Sequence, residues 1–436
     1  MSNLEKGNPK LINAWAFYDW ANSVYSLVIA TAVFPIYYEA ITSKNDGIVT
    51  FLGTKFHNST LLSYSLSFSF LIVAILSPIL SGIADYTGNK KRFMQFFCYL
   101  GSFSVMALFF FNSVENLWIG IVFTILASIG FWGSFVFYNS YLPEIAFPEQ
   151  QDRVSAKGFM YGYAGSILLL AFNLVMIMKP DLFGITDSTL PARISFLMVG
   201  IWWMGFAQIT FYYLPNKVTN KKPEKDFIFK GLKELKLVVL SLKKLTSLKQ
   251  FLIAFFLYSI GVQTIILLAG IYGKKELGIE TNKLIITILL IQVIAIFGAF
   301  VFARISERIG NIKTLKLTIA IWGIICFAAY LLDAHNKYID LQFYILGGVI
   351  GMVLGAIQSL SRSTYSKLLP ETEDHATYFS FFDVTEKIAI VLGTFIFGFV
   401  GSISDSLRNS IFILAVFFLF GYIVLSFMKK NELISK

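Results

Sequence analysis

Apolar residues in this chain come in long stretches of about 20, each long enough as a helix to cross a hydrocarbon layer ~30 Å thick. A backbone in lipid must satisfy its own hydrogen bonds, so such stretches are read as helices. The pattern predicts twelve spans: 12–37, 60–84, 92–112, 116–140, 157–178 and 193–214, then 250–273, 283–303, 315–333, 340–362, 378–401 and 407–428. A polar stretch from Asn216 to Lys249 divides them six and six. The expected fold is an all-α polytopic membrane protein of two pseudo-symmetric six-helix bundles, residues 1–215 and 250–436, joined by a connector at 216–249.

Composition agrees: 56% of the 436 residues are hydrophobic and 14% charged, where a soluble chain carries about a quarter. Of the net charge of +10, +7 lies in the connector, where ten Lys face three acids. The charge is therefore local, and it lacks the aromatic interleaving of a nucleic-acid surface. From Asp226 to Leu248 the Lys alternate with Leu and Val, as in a basic amphipathic helix lying on lipid headgroups. With the N-terminus inside, 26 of the 36 Lys and Arg fall on the inner side and nine outside. The positive-inside rule then makes both termini and the connector cytoplasmic, at a plasma membrane. Ten polar residues lead into a full-length span, so span 1 is expected to be its own insertion signal. Cys98 and Cys326 fall inside spans and His57, His335 and His375 in predicted loops. No disulfide, metal or cofactor is expected from them, and a monomer is.

The informative positions are polar ones inside the spans, because a charge at mid-bilayer costs at least ~2.5–3.5 kcal/mol unless it faces a cavity or a partner. In span 1, Trp15, Asp19, Asn22 and Ser26 share one helical face. Asp19 sits about 10 Å in, too deep to reach water through lipid. That face is expected to border a path between the halves, with Asp19 either a coupling or solute contact, which a cation such as Arg362 could approach in one state, or a latch held by a cation or by backbone amides. In span 10, Gln358, Ser361, Arg362 and Tyr365 form a comparable stripe, and the Arg362 fork suits a carboxylate from a solute or from the other half. Tyr138 and Asn139 in span 4, and Tyr258 and Gln263 in span 7, complete the set. Span 11 carries Asp383, Glu386 and Lys387; the first and last are i, i+4 neighbours and can pair, leaving Glu386 to find a partner elsewhere. In span 5, Gly158, Gly162 and Gly165 read as close helix packing.

Between spans 2 and 3 stands GIADYTGNKKR, in which Gly82 allows close approach, Gly88 a tight turn, Asp85 can face a helix N-terminus, and Lys90, Lys91 and Arg92 anchor the loop. The pattern resembles the loop signature of the major facilitator superfamily. RISERIGNIK in the second half keeps Glu307 and Gly310 at the matching spacing, with Arg304 in place of the first glycine. YNSYLPE and YSKLLPE close spans 4 and 10, a faint internal repeat of the kind common in secondary transporters. Three further blocks, AWAFYDWANSVYSLVIATAVFPIYY, RVSAKGFMYGYAGS and SRSTYSKLLPETEDHATYFSFFDVTEKIAIVLG, resemble the vacuole-effluxer family. That resemblance implies transport, with an amino acid as the family's solute and the first and fourth helices of each half lining the cavity.

No G-x-x-x-x-G-K-[ST] is present for a nucleotide-driven pump, and no H-E-x-x-H or nucleophile with its base for an intramembrane enzyme. The expected function is secondary transport of a small polar solute, most simply a zwitterion, with protons as the coupling ion and lipid as the only other partner. A sugar or muropeptide permease, or a transporter-like sensor that moves nothing, remains open at this stage.

Overall fold

The computed structural model describes residues 4–43, 45–216, 236–242, 244–404 and 406–428. Among them are twelve helices long and apolar enough to cross a membrane. Spans 1 to 6 are Pro9–Thr42, Asn58–Thr87, Lys90–Phe110, Val114–Ile145, Gln151–Met178 and Leu190–Tyr213. Spans 7 to 12 are Thr246–Lys275, Thr281–Ile309, Asn311–Tyr330, Ile339–Leu368, His375–Ser404 and Leu407–Ser426. Several overrun the hydropathy limits: span 5 begins at Gln151 rather than 157, and span 10 runs to Leu368 rather than 362. Hydropathy marks the part of a helix that suits lipid, whereas the end is set by capping. Gly88, with φ +67°, ends span 2 in the left-handed conformation that glycine adopts without strain.

Span 1 is not uniformly α-helical. Tyr25–Val33 winds as a π-helix, a form that recurs at functional sites. Pro35, just beyond, has no N–H to give and crowds the carbonyl four residues back, so the chain widens before it. The loop after span 1 holds a feature absent from the sequence reading, an antiparallel hairpin of β1 (Ile48–Phe51) and β2 (Thr54–His57). Leu52 and Gly53, at φ 50° and 78°, form its two-residue turn.

Two buried cores follow the division of the chain. One draws on residues from Leu11 to Leu214 with Ala376, the other on residues from Val238 to Leu425. Between them, span 5 packs on spans 8 and 10, and span 11 on spans 2 and 4. Of the expected connector helix, residues 226–235 and 243 lie outside the described residues. Of its far end, 236–242 is helical, Val238 is buried, and Ser241 shares a 2.7 Å hydrogen bond with the Tyr378 hydroxyl. His375 is the first residue of span 11 and largely buried, not a surface loop residue, because that helix starts before its apolar run does.

Spans 8 and 10 touch backbone to backbone. A Cβ at Gly298 would lie 2.1 Å from the Met352 carbonyl oxygen, and one at Gly355 2.1 Å from that of Ala295. Such contacts have no flexible side chain to yield. Gly355→Val is therefore expected to destabilise the protein by about 1–3 kcal/mol, the usual cost of overpacking. Thermal unfolding in detergent checks this; an unchanged Tm would mean the two helices separate freely.

Candidate functional site

A cavity of about 660 Å³ lies between the halves. Pro35 and Ile36 of span 1, Lys274 of span 7 and Thr281 of span 8 stand at its mouth, all near the helix ends away from the connector. Of the candidates named from sequence, Ser26, Asn139, Tyr258, Gln263, Gln358, Arg362 and Glu386 line its wall. Asp19, Asn22, Tyr138, Asp383 and Lys387 stand behind it, all at most 4% exposed. The single face expected of span 1 thus splits. Asp19 and Asn22 lie behind the wall on its α-helical part, whereas Ser26, at the start of the π-helix, lines the cavity.

Arg362 forms the floor. The side chain is 1% exposed and crosses from span 10 into the other half. Its Nη1 and Nη2 each donate to Asp19 Oδ2 at 3.3 Å. Nη1 also donates to Asn139 Oδ1 at 3.2 Å, Nη2 to the Ser155 carbonyl at 2.8 Å, and Nε to Ser155 Oγ at 2.9 Å. A guanidinium has five N–H donors, and these contacts occupy them all. The rings of Trp15, Tyr138 and Phe159 lie 4.8, 5.4 and 4.2 Å from its carbon, within cation–π range. The Tyr138 hydroxyl donates to Asp19 Oδ2 at 2.7 Å, and Trp15 Nε1 to the Tyr138 carbonyl at 2.9 Å. Gly158 has a role the sequence reading did not give it. A Cβ there would meet Asp19 Oδ2 at 2.4 Å and Arg362 Nη2 at 2.8 Å, so its bare backbone makes room for the ion pair. Gly162 and Gly165 press on Ser23 and Trp20 of span 1, as packing glycines do.

Above and below the pair, more polar bonds join the halves. Tyr163 donates to Gln358 Oε1 at 2.6 Å, and Ser155 Oγ to the Ser359 carbonyl at 2.7 Å. Toward the connector, Asp152 accepts from Ser306 Oγ at 2.9 Å and Asn311 Nδ2 at 2.7 Å and pairs with Lys367 at 2.7 Å. Arg153 pairs with Glu307. Asp85 of the span 2 loop signature meets the start of span 11. It accepts from the backbone N–H of Ala376 at 3.2 Å and Thr377 at 2.7 Å, and from Thr377 Oγ1 at 2.8 Å. Lys90 pairs with Glu144, which also meets His375 at 3.1 Å. Lys91 donates to the Leu214 carbonyl at 3.0 Å. Both lysines are buried, and both of these contacts lie within the first half. Gly310 sits at φ +88° between spans 8 and 9.

Asp152, Ser155, Tyr163, Glu144 and Thr377 were not singled out from sequence. Glu144, Asp152, Ser155 and Thr377 all fell in what hydropathy read as loop, between 140 and 157 or just before 378. In span 11, Lys387 pairs with Asp383 Oδ1 at 2.9 Å, one turn back. Glu386 finds its partner in span 7, accepting from Gln263 Nε2 at 2.6 Å. Span 10's stripe divides: Ser361 bonds Tyr258 at 2.7 Å and Tyr365 donates to the Tyr378 carbonyl at 2.5 Å, both within the second half.

The family model for vacuole effluxers of the Atg22 type matches residues 7–433. A Bacillus subtilis protein described as an uncharacterized MFS-type transporter, YxiO, is 32% identical over 421 residues, covering 96% of this chain and 95% of its own. Autophagy-related protein 22-1 of Penicillium rubens is 22% identical, covering 88% and 77%. Among solved structures, the major facilitator transporter FucP in its outward conformation superposes with a TM-score of 0.69 at 14% identity, covering 97% of this chain and 99% of that one.

The Asp85 contacts predict a measurable shift. A carboxylate holding two backbone N–H groups and a hydroxyl at a helix start is stabilised by charge-assisted hydrogen bonds and by the helix dipole. Asp85→Asn keeps the shape and removes the charge. It is expected to weaken closure by about 1–2 kcal/mol, seen by spin-label distances between the connector-side ends of spans 2 and 11 as a larger open population. An unchanged distance distribution would exclude a latching role.

Proposed function

The chain belongs to the vacuole effluxer Atg22-like family of major facilitator transporters, and from that premise we propose that it carries a small polar solute, an amino acid or similar zwitterion, by alternating access. The observation that supports this reading is the Arg362–Asp19 pair, buried at the floor of a cavity that opens away from the connector. The conformation is one of two that alternation needs: open on one face and held shut by polar contacts on the other. The distribution of Lys and Arg makes the shut face cytoplasmic, so the cavity opens outward across a plasma membrane with both termini inside.

Reversal requires the floor and the layers beneath it to part. Arg362 then leaves with span 10 while Asp19 stays with span 1, and neither can remain a bare charge in a low-dielectric interior. A proton is one partner for Asp19 in that state, and this would link transport to a proton gradient. The polar bonds below exchange for water at small net cost, because a typical hydrogen bond contributes only about 1 kcal/mol net. The same faces closed by interdigitated apolar side chains would be slow to part.

Vesicle uptake tests the proposal. Reconstituted protein should accumulate amino acids when a pH gradient is imposed, and Asp19→Asn should abolish gradient-driven accumulation while solute exchange persists. Accumulation by the variant equal to the wild type's would make Asp19 a latch only. Flux of sugars without amino acids would overturn the solute class, and no flux of any solute would leave a sensor as the function.

A further inference from the structure

Among the described residues that line the cavity, Glu386 is the one carboxylate, and the floor network does not use it. The lining cations do not balance it. All donors of Arg362 are committed to Asp19, Asn139 and Ser155, and Lys274 is at the mouth. Lys387 is shared between two carboxylates: its Nζ donates to Asp383 Oδ1 at 2.9 Å and, at the longer distance of 3.4 Å, to Glu386 Oε2, with the Trp132 ring centre 3.3 Å away, so one cation serves two negative charges. The nearest donor to Glu386 is the neutral amide of Gln263, at 2.6 Å. The surrounding wall is aromatic, with Trp132, Phe135, Phe255 and Phe382 facing the same space.

We propose that Glu386, oriented by Gln263, is the ammonium-binding subsite of the cavity, and that the solute carries a protonated amine beside an apolar or aromatic body. This rests on the transport reading above and narrows it. A carboxylate partly withdrawn from water bonds an ammonium through charge-assisted hydrogen bonds, and the aromatic faces add cation–π attraction. An anion without an amine meets the same carboxylate as a repulsion. Asp383 supplies the adjustment that binding needs. Its Oδ2 is buried and has no hydrogen-bond partner among the described residues, so Lys387 can turn fully to Asp383 as an arriving ammonium takes Glu386 Oε2.

The test is binding to the purified full chain, read as the rise in unfolding temperature with isoamylamine, leucine and isocaproate as probes: amine alone, amine with carboxylate, and carboxylate alone. Isoamylamine and leucine are expected to stabilise the wild type and isocaproate not. Glu386→Gln should weaken the amine by at least about tenfold, the effect of losing one charged hydrogen-bond partner. Should that variant fail to fold, Glu386→Asp and Gln263→Leu replace it, each expected to weaken the amine several-fold. Stabilisation by isocaproate without isoamylamine, no amine binding to the wild type, or amine binding indifferent to these substitutions overturns the subsite. Because binding is read without flux, the two readings fail separately. A protein that binds the amine through Glu386 yet passes no solute keeps the subsite and loses transport; flux indifferent to Glu386 does the reverse.

Discussion

Arg362 is always charged, it lies inside the membrane, and its counter-charge belongs to the other half of the molecule. Everything else in the site is arranged around that constraint. Burying a guanidinium without a partner costs several kcal/mol, so span 10 can sit in this position only while span 1 presents Asp19 and span 5 presents Ser155. Gly158 is bare because the pair fills the place of its side chain. Three aromatic rings pack around the guanidinium, whose acceptors are the Asp19 carboxylate, the Asn139 amide oxygen and the carbonyl and hydroxyl oxygens of Ser155.

The rest of the closed face repeats the device at lower stakes. Asp152, Asp85 and Glu144 from the first half each accept from groups of the second. Each contact is directional, so the two halves dock in one register. Each is also polar, so water can replace it when they part. The two apolar cores, by contrast, stay almost wholly within their own halves. Cohesion within a half is mainly apolar; between the halves the polar contacts are joined by a small apolar cluster, Ala156 of span 5 against Ala299 and Ala303 of span 8.

How much of this was legible in the sequence depends on how far each feature reaches along the chain. The twelve helices were, because hydropathy and helix length are local properties. So was the Asp383–Lys387 pair, one turn apart, and the turn at Gly88, which needs only a glycine. That Asp19 and Arg362 need partners followed from their cost in lipid, and Arg362 was one cation expected to approach Asp19; that the pair forms in this conformation, across 343 positions, is seen only in the fold. The cavity wall was legible only in part. Seven of the twelve candidates line it and five lie behind, because a polar position inside a span signals a buried partner as readily as a cavity wall: Asp19 and Tyr138 meet Arg362 and each other, and Asp383 meets Lys387. The hairpin in the first loop and the helical placing of Asp152 and His375 depend on capping and turn geometry beyond the apolar runs. The basic connector was plain as a charge run, and most of it lies outside the described residues.

The central claim is that the Asp19–Arg362 pair holds the two halves in this conformation. A double-mutant cycle on the conformational equilibrium tests it most directly. Spin-label distances between the connector-side ends of spans 5 and 8 give the closed population for the wild type, Asp19→Asn, Arg362→Met and the double variant. The account predicts that each single change opens that face and that the two are coupled, with an interaction energy of about 2 kcal/mol or more. Additive effects, or closed populations unchanged by either substitution, would contradict it.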